Sequence, residues 1–302
     1  MGHDHSHGHH HHHHGGDNVG LAFFLNLGFT IIEFIGGLFT NSFAILADAL
    51  HDLGDTASLG MAWYFQRLAK KGRTPTFTFG YRRFNTLGAI VTGVVLVAGS
   101  TFIIIEAIPR ILNPEEVNAG GMIWLAVLGV VVNGAAVVKL RQGGNSLNEQ
   151  VLTWHMVEDV LGWVAVLIGS LVMYFYDLPW IDPALSLLIA AFVLFNVSKQ
   201  LWRAGKIILQ AMPEGLQYRE VLTALQSVEG VEDAHHLHLW SLDGEYTLGS
   251  VHLVLAAQNS LSDAEEVKAA VRKVTHDRFG VEHLTVEVET MEAKLAHGRE
   301  GV

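Results

Sequence analysis

The sequence predicts an α-helical membrane protein: six transmembrane helices followed by a small cytoplasmic α/β domain. Three observations predict it. Of the 302 residues, 50% are hydrophobic and only 16% charged, against about 25% charged in an average soluble domain. Long apolar runs fill residues 19–208 and then stop. From 212 onward the chain carries sixteen Asp+Glu and seven Lys+Arg, most of the overall charge of −11, in soluble-type alternation.

A bilayer-spanning helix needs about 20 mostly apolar residues. Six stretches meet this length: 19–39, 42–67, 84–108, 119–140, 151–175 and 180–202. Turn chemistry separates them: Gly36-Gly37 with Thr40-Asn41, Lys71-Gly72-Arg73-Thr74-Pro75, Asn113-Pro114, Gly143-Gly144-Asn145-Ser146, and Asp177-Leu178-Pro179. The second and fifth stretches contain charges, which weakens their hydropathy and marks them as functional.

Lys and Arg set the orientation. Arg67, Lys70, Lys71, Arg73, Arg82, Arg83, Lys139, Arg141, Lys199, Arg203 and Lys206 fall on one side, and only Arg110 on the other. Eleven against one places both termini and the soluble domain in the cytoplasm. The His-rich start lacks the basic n-region of a cleaved signal, and short loops without a targeting segment favour a bacterial inner membrane. The acidic balance argues against a nucleic-acid partner. The absence of cysteine removes disulfides, iron–sulfur clusters and thiolate zinc sites.

The domains are therefore a disordered His-rich tail over 1–18, a six-helix domain over 19–208, a cytoplasmic domain over 212–292 and a short tail over 293–302. In the cytoplasmic domain, YREVLTALQSV reads as a short helix and 264–279 as an amphipathic one. Residues 234–241, 246–255 and 283–290 alternate as strands. That order suggests a split, ferredoxin-like module, three strands with helices on one face.

The chemistry lies in the charged spans. The second holds Asp48-Ala49-Leu50-His51-Asp52-Leu53-Gly54-Asp55, and the fifth holds His155-Met156-Val157-Glu158-Asp159. In each, a histidine precedes an aspartate by four residues, one turn on the same helix face. Two such helices facing each other present two imidazoles and two carboxylates to one point, a tetrahedral set suited to zinc. Ionisable groups at bilayer depth are expensive and mark an ion pathway. Asp48 shares much of the His51 face and shapes the site, whereas Asp52 and Glu158 point elsewhere, toward a vestibule or a proton path. Glu33 and Glu106 read equally as hydrogen-bonding acids between helices.

At these residues the chain resembles the cation diffusion facilitator family of zinc exporters. The segment SFAILADALHDLGD (42–55) matches the family's second-helix signature. Phe79-Gly80-Tyr81-Arg82-Arg83 resembles the start of its third helix and Asp182-Pro183 the start of its sixth. His235-His236-Leu237-His238-Leu239-Trp240 resembles the first strand of its tail domain. The resemblance covers about 19–290 and implies His51, Asp55, His155 and Asp159 as the transported-ion site. The His-Asp composition on both helices is associated with zinc. Asn85 stands where the family commonly has an acid, so a loop salt bridge there is not implied, and the absence of histidine from 69–81 leaves out an extra loop metal site.

In the tail domain, alternation turns Leu237, Leu239, Leu253, Leu284, Val286 and Val288 toward the helices. It turns His236, His238, His252, His283, Glu287 and Glu289 the other way. The family's regulatory-metal positions fall on His235, His252, His283 and Glu289. Alternation groups His235 with the core leucines, so either the strand start twists or His236 takes its place. The resemblance also implies a homodimer joined partly through this domain.

Nine of the eighteen histidines lie in residues 1–14. The run His9–His14 reads as a native zinc-chelating tract or a purification tag; His3-Asp4-His5-Ser6-His7 is not a usual tag leader.

Together these features predict a zinc/proton antiporter rather than an enzyme, exporting Zn²⁺ and leaving Cd²⁺ and Co²⁺ open as further cargo. Protons are the counter-ion and compete for the same ligands, with His51 and His155 the natural carriers near neutral pH. Two rivals from other classes are a membrane metalloenzyme with Glu158 as base and a metal sensor working through the tail domain.

Overall fold

The structure is a computed structural model that describes residues 15–69, 73–141, 147–255, 260–291 and 295. The His-rich tract and the last tail residues lie outside them. Six long helices come first: α1 (Gly15–Thr40), α2 (Phe43–Ala69), α3 (Arg83–Leu112), α4 (Ala119–Arg141), α5 (Leu147–Tyr176) and α6 (Ile181–Ile208). Five are apolar and long enough to cross a membrane. α2 has the length, but Asp48, His51, Asp52 and Asp55 interrupt its apolar run. This agrees with the reading of the second stretch as charged.

The chain divides into two compact units, one holding residues up to 72 and 88–201, the other 73–87 and 202–302. In the first unit α1 packs on α2 and α4, and α4 on α5. Trp163 is 1% exposed at the centre of a cluster with Phe29, Ile45, Met122 and Val166. A Cβ at Gly129 would overlap the Trp163 ring, so glycine is what lets α4 and α5 approach there. Gly36 and Gly37 do not break a helix. α1 runs through them to Thr40, and they sit against Leu125 and Leu46. The turn falls at Asn41 in the left-handed region (φ 54°), with the Ser42 N–H bonded to the Gly37 carbonyl at 3.0 Å. Glycine here serves close packing, and asparagine supplies the turn.

The second unit continues with α7 (Tyr218–Gln226), β1 (Val231–Ser241), β2 (Thr247–Leu255), α8 (Leu261–Phe279) and β3 (Val281–Glu289). The sheet order is β1-β2-β3, with β1 antiparallel and β3 parallel to β2. The parallel pair requires a crossover, and α8 provides it. Ser260 and Asp263 close a capping box at its start, and Gly280 (φ 65°) ends it. Val221, Leu225, Leu237, Leu253, Val271 and Leu284 form the core between helices and sheet. Val288, expected on the helix side, is 39% exposed. β3 is an edge strand, covered by β2 along only one flank.

Candidate metal sites in the membrane unit and the tail domain

The helical period places His51 and Asp55 one turn apart on α2, their nearest N and O atoms 3.9 Å apart. Asp159 comes from α5, its Oδ1 lying 3.6 Å from His51 Nε2. These separations exceed a hydrogen bond. They approach the roughly 3.3 Å between neighbouring ligands of a tetrahedral ion with bonds near 2.0–2.1 Å. His155 lies on α5 one turn before Asp159, but its side chain is outside the described residues.

Asp52 differs from expectation. One ligand atom from each of His51, Asp52, Asp55 and Asp159 lies within 4.8 Å of the others. A one-residue step turns about 100° around a helix, which predicts that Asp52 points away. Asp52 is nevertheless only 6% exposed and joins the group. α2 is enclosed by both α1 and α5, so its acidic side chains share one interior.

Asp48 is also buried at 6%, and its Oδ1 would stand 3.7 Å from a Cβ at Gly162 of α5. Glu158 and Glu106 are exposed. Glu33 of α1 is 1% exposed and has the Asp52 side chain of α2 as its neighbour. The same pair of helices is also joined by Asn26, whose Nδ2 donates to Thr56 Oγ1 at 2.9 Å, and by the Thr30 and Thr56 hydroxyls at 3.2 Å.

The tail domain gathers a second group. His235 and His252 are register partners across β1 and β2. Their ring centroids are 5.6 Å apart, and His235, His236 and His252 each offer a nitrogen within 4.8 Å of the others. A bulge resolves the conflict over His235. The β1 register shifts between His235 and His238, and His236 takes φ 46°. The extra residue lets Ala234 and Leu237 both reach the core while His235 and His236 stay on the opposite face.

Glu289 completes this face. It is 7% exposed, hydrogen-bonds His252 Nδ1 and lies 3.3 Å from His235 Nε2. Glu287 approaches His252 Nε2 at 3.4 Å. Glu289 is therefore buried under imidazoles, while His236, His238 and Glu287 on the same face are exposed. His283 stands apart. It pairs with Leu248, four residues from His252 along β2, and lines a cavity of about 330 Å³ with Arg272, His276 and Glu282. Alternation gave His283 and His252 the same face, but register separates them along the strands.

Two contacts lay outside the reach of pattern reading. Arg82 Nη1 donates to Asp243 Oδ2 at 3.0 Å, and its guanidinium lies 4.5 Å from the Tyr246 ring centroid. Asp182 receives three hydrogen bonds from the start of α2. A buried acid ahead of a proline was the available signal for Asp182. Arg82 stood in the Phe79–Arg83 motif, which gave no sign of its partner Asp243.

Comparison with known proteins covers both units. A family model described as the cation efflux transmembrane domain matches residues 19–209, and one described as the cation efflux protein cytoplasmic domain matches 213–291. The chain is 34% identical over 298 residues to a Bacillus subtilis protein named "Cadmium, cobalt and zinc/H(+)-K(+) antiporter", covering 96% of this chain and 92% of that one. It is 31% identical over 262 residues to "Metal cation efflux system protein CzcD" of Cupriavidus metallidurans, covering 86% and 82%. It is 30% identical over 290 residues to "Zinc transporter ZitB" of Escherichia coli, covering 95% and 91%.

Proposed function

The chain belongs to the cation efflux family, also called the cation diffusion facilitators, and from that premise we propose that it is a proton-coupled antiporter carrying Zn²⁺ out of the cytoplasm. The observation that carries this reading is the meeting of His51 and Asp55 on α2 with Asp159 on α5 inside an apolar helical unit. Ionisable groups at that depth are expensive and mark an ion or proton path.

Zn²⁺ is the cargo, bound by His51, Asp55, Asp159 and, by its position on α5, His155. Asp52 and Asp48 add negative charge around the ion. Metal binds the deprotonated ligands, so protons arriving from the outer side displace it. The inward proton gradient then drives export by alternating access. The names of the relatives support zinc, with cadmium and cobalt as further cargo.

The tail domain binds a regulatory zinc through His235, His252 and Glu289, with His236 at the bulge as an additional ligand. This ion holds two copies of the chain in a homodimer and biases their geometry, a linkage between sites. The protein sits in a bacterial inner membrane with both termini in the cytoplasm, as the distribution of Lys and Arg supports.

The test is the purified full chain in sealed proteoliposomes under an imposed pH gradient, with Zn²⁺, Cd²⁺, Co²⁺ and Mn²⁺ offered separately. Zinc flux that collapses with the gradient is expected. Zinc binding without flux would overturn the transport reading in favour of a sensor.

A further inference from the structure

The first turn of a helix leaves backbone N–H groups without intrahelical partners. In α2 these belong to Phe43, Ala44 and Ile45, and another helix satisfies most of them. Asp182, in the first turn of α6, accepts from the Phe43 N–H at 2.9 Å through Oδ2 and from the Ala44 N–H at 3.3 Å through Oδ1. Ser42 Oγ donates to the same Oδ1 at 2.6 Å and accepts from the Ile45 N–H at 3.2 Å. Ser42, Ala44, Ile45 and Asp182 are all 0% exposed.

α3 reaches the same corner. Arg110 Nη1 donates to Asn41 Oδ1 at 3.1 Å, and its guanidinium lies 4.2 Å from the Phe43 ring centroid. Further along α2 the contacts with α3 and α6 are apolar: Ala47, with Leu50 packed alongside, meets Ile103 and Ala190, and Leu50 also meets Leu96, Val193 and Val197. Apolar surfaces slide at small cost, whereas a buried carboxylate with three donors does not part from them without losing all three hydrogen bonds.

We propose that Asp182 is a positioning residue for transport: it fixes α6 to the start of α2 and so sets the place of His51 and Asp55 while the apolar seam moves. His51 lies nine residues beyond Ser42, roughly 14 Å along α2 at 1.5 Å per residue. A loosened corner displaces the ligands without touching them. This inference rests on the transport reading above.

The experiment uses the full chain in zinc-loaded proteoliposomes. Asp182→Asn keeps the shape but turns an NH₂ donor toward the donors of α2. Its maximal zinc flux should fall about tenfold with KM changed less than about threefold, a split that loss of a metal ligand would not give. Ser42→Ala is the milder variant and should show the same split at smaller size.

The chain has no cysteine, so Ser42→Cys with Asp182→Cys can be joined selectively by a short bis-methanethiosulfonate, each thiolate displacing one methanesulfinate to form a mixed disulfide. The unjoined form should transport slowly and the joined form should recover. Wild-type maximal flux in Asp182→Asn or Ser42→Ala, or a joined form no faster than the unjoined one, overturns the proposal. Zinc flux absent from the wild-type chain overturns the transport reading instead.

Discussion

His51 on α2 and Asp159 on α5 face each other with Nε2 and Oδ1 3.6 Å apart inside the membrane unit. The gap is too wide for a good hydrogen bond and close to the ligand–ligand separation around a tetrahedral zinc. Two groups 108 residues apart in the chain therefore meet at about the spacing of neighbouring ligands around one ion.

Asp159→Ala removes one ligand of the proposed site. Zinc flux in proteoliposomes should fall to background while expression and thermal unfolding of the tail domain stay as in wild type. A transport-competent Asp159→Ala protein would exclude this site.

His51→Asp replaces the nitrogen donor with a harder oxygen donor. Oxygen-rich sites suit manganese and magnesium better than an imidazole-containing site does. Competition assays should show Mn²⁺ inhibiting zinc flux more strongly in this variant than in wild type. Unchanged selectivity would place the determinant elsewhere.

In the tail domain, Glu289 is buried against His252 and His235. His252→Ala withdraws its strongest partner and should destabilise the metal-free domain by about 1–3 kcal/mol. It should also lower the zinc bound per chain by about one ion, since the proposed set then lacks one of the four ligands of a structural site. His283→Ala should leave both quantities at wild-type values, because His283 pairs with Leu248 away from the cluster. Isothermal titration and scanning fluorimetry of the full chain read both.

Asp243 gives a pH dependence outside the membrane. Partial burial opposes its ionisation, but the Tyr246 amide, the Arg82 guanidinium and the Glu245 amide outweigh this and hold the carboxyl below the usual carboxylate range. A lowered folded-state value means the contribution is fully present above the unfolded value, about 3.9 for Asp, and is lost as pH falls through the folded value. Arg82 is half exposed, so its share is screened to about 1 kcal/mol or less. Arg82→Ala should lower stability at neutral pH by that amount and flatten the loss below about pH 4, measured by acid unfolding. An identical acid limb in the variant would remove Arg82 from the account.

The sequence alone determined what is periodic. Length and hydropathy marked the apolar helices, and a spacing of four put His51 and Asp55 on one face. Strand alternation placed His252, Glu287 and Glu289 together. These depend only on local geometry, which a chain carries in its own spacing. The tertiary structure decided which distant segments meet. It brought α2 against α5, drew Asp52 into the group that helical phase had excluded, and set Asp182 against Ser42 across 140 residues. It also placed a bulge at His236 that reconciles His235 with the core, and a register that carries His283 away from His252. Bulges, register and helix partners follow from packing between segments far apart in the chain, and no short-range repeat encodes them.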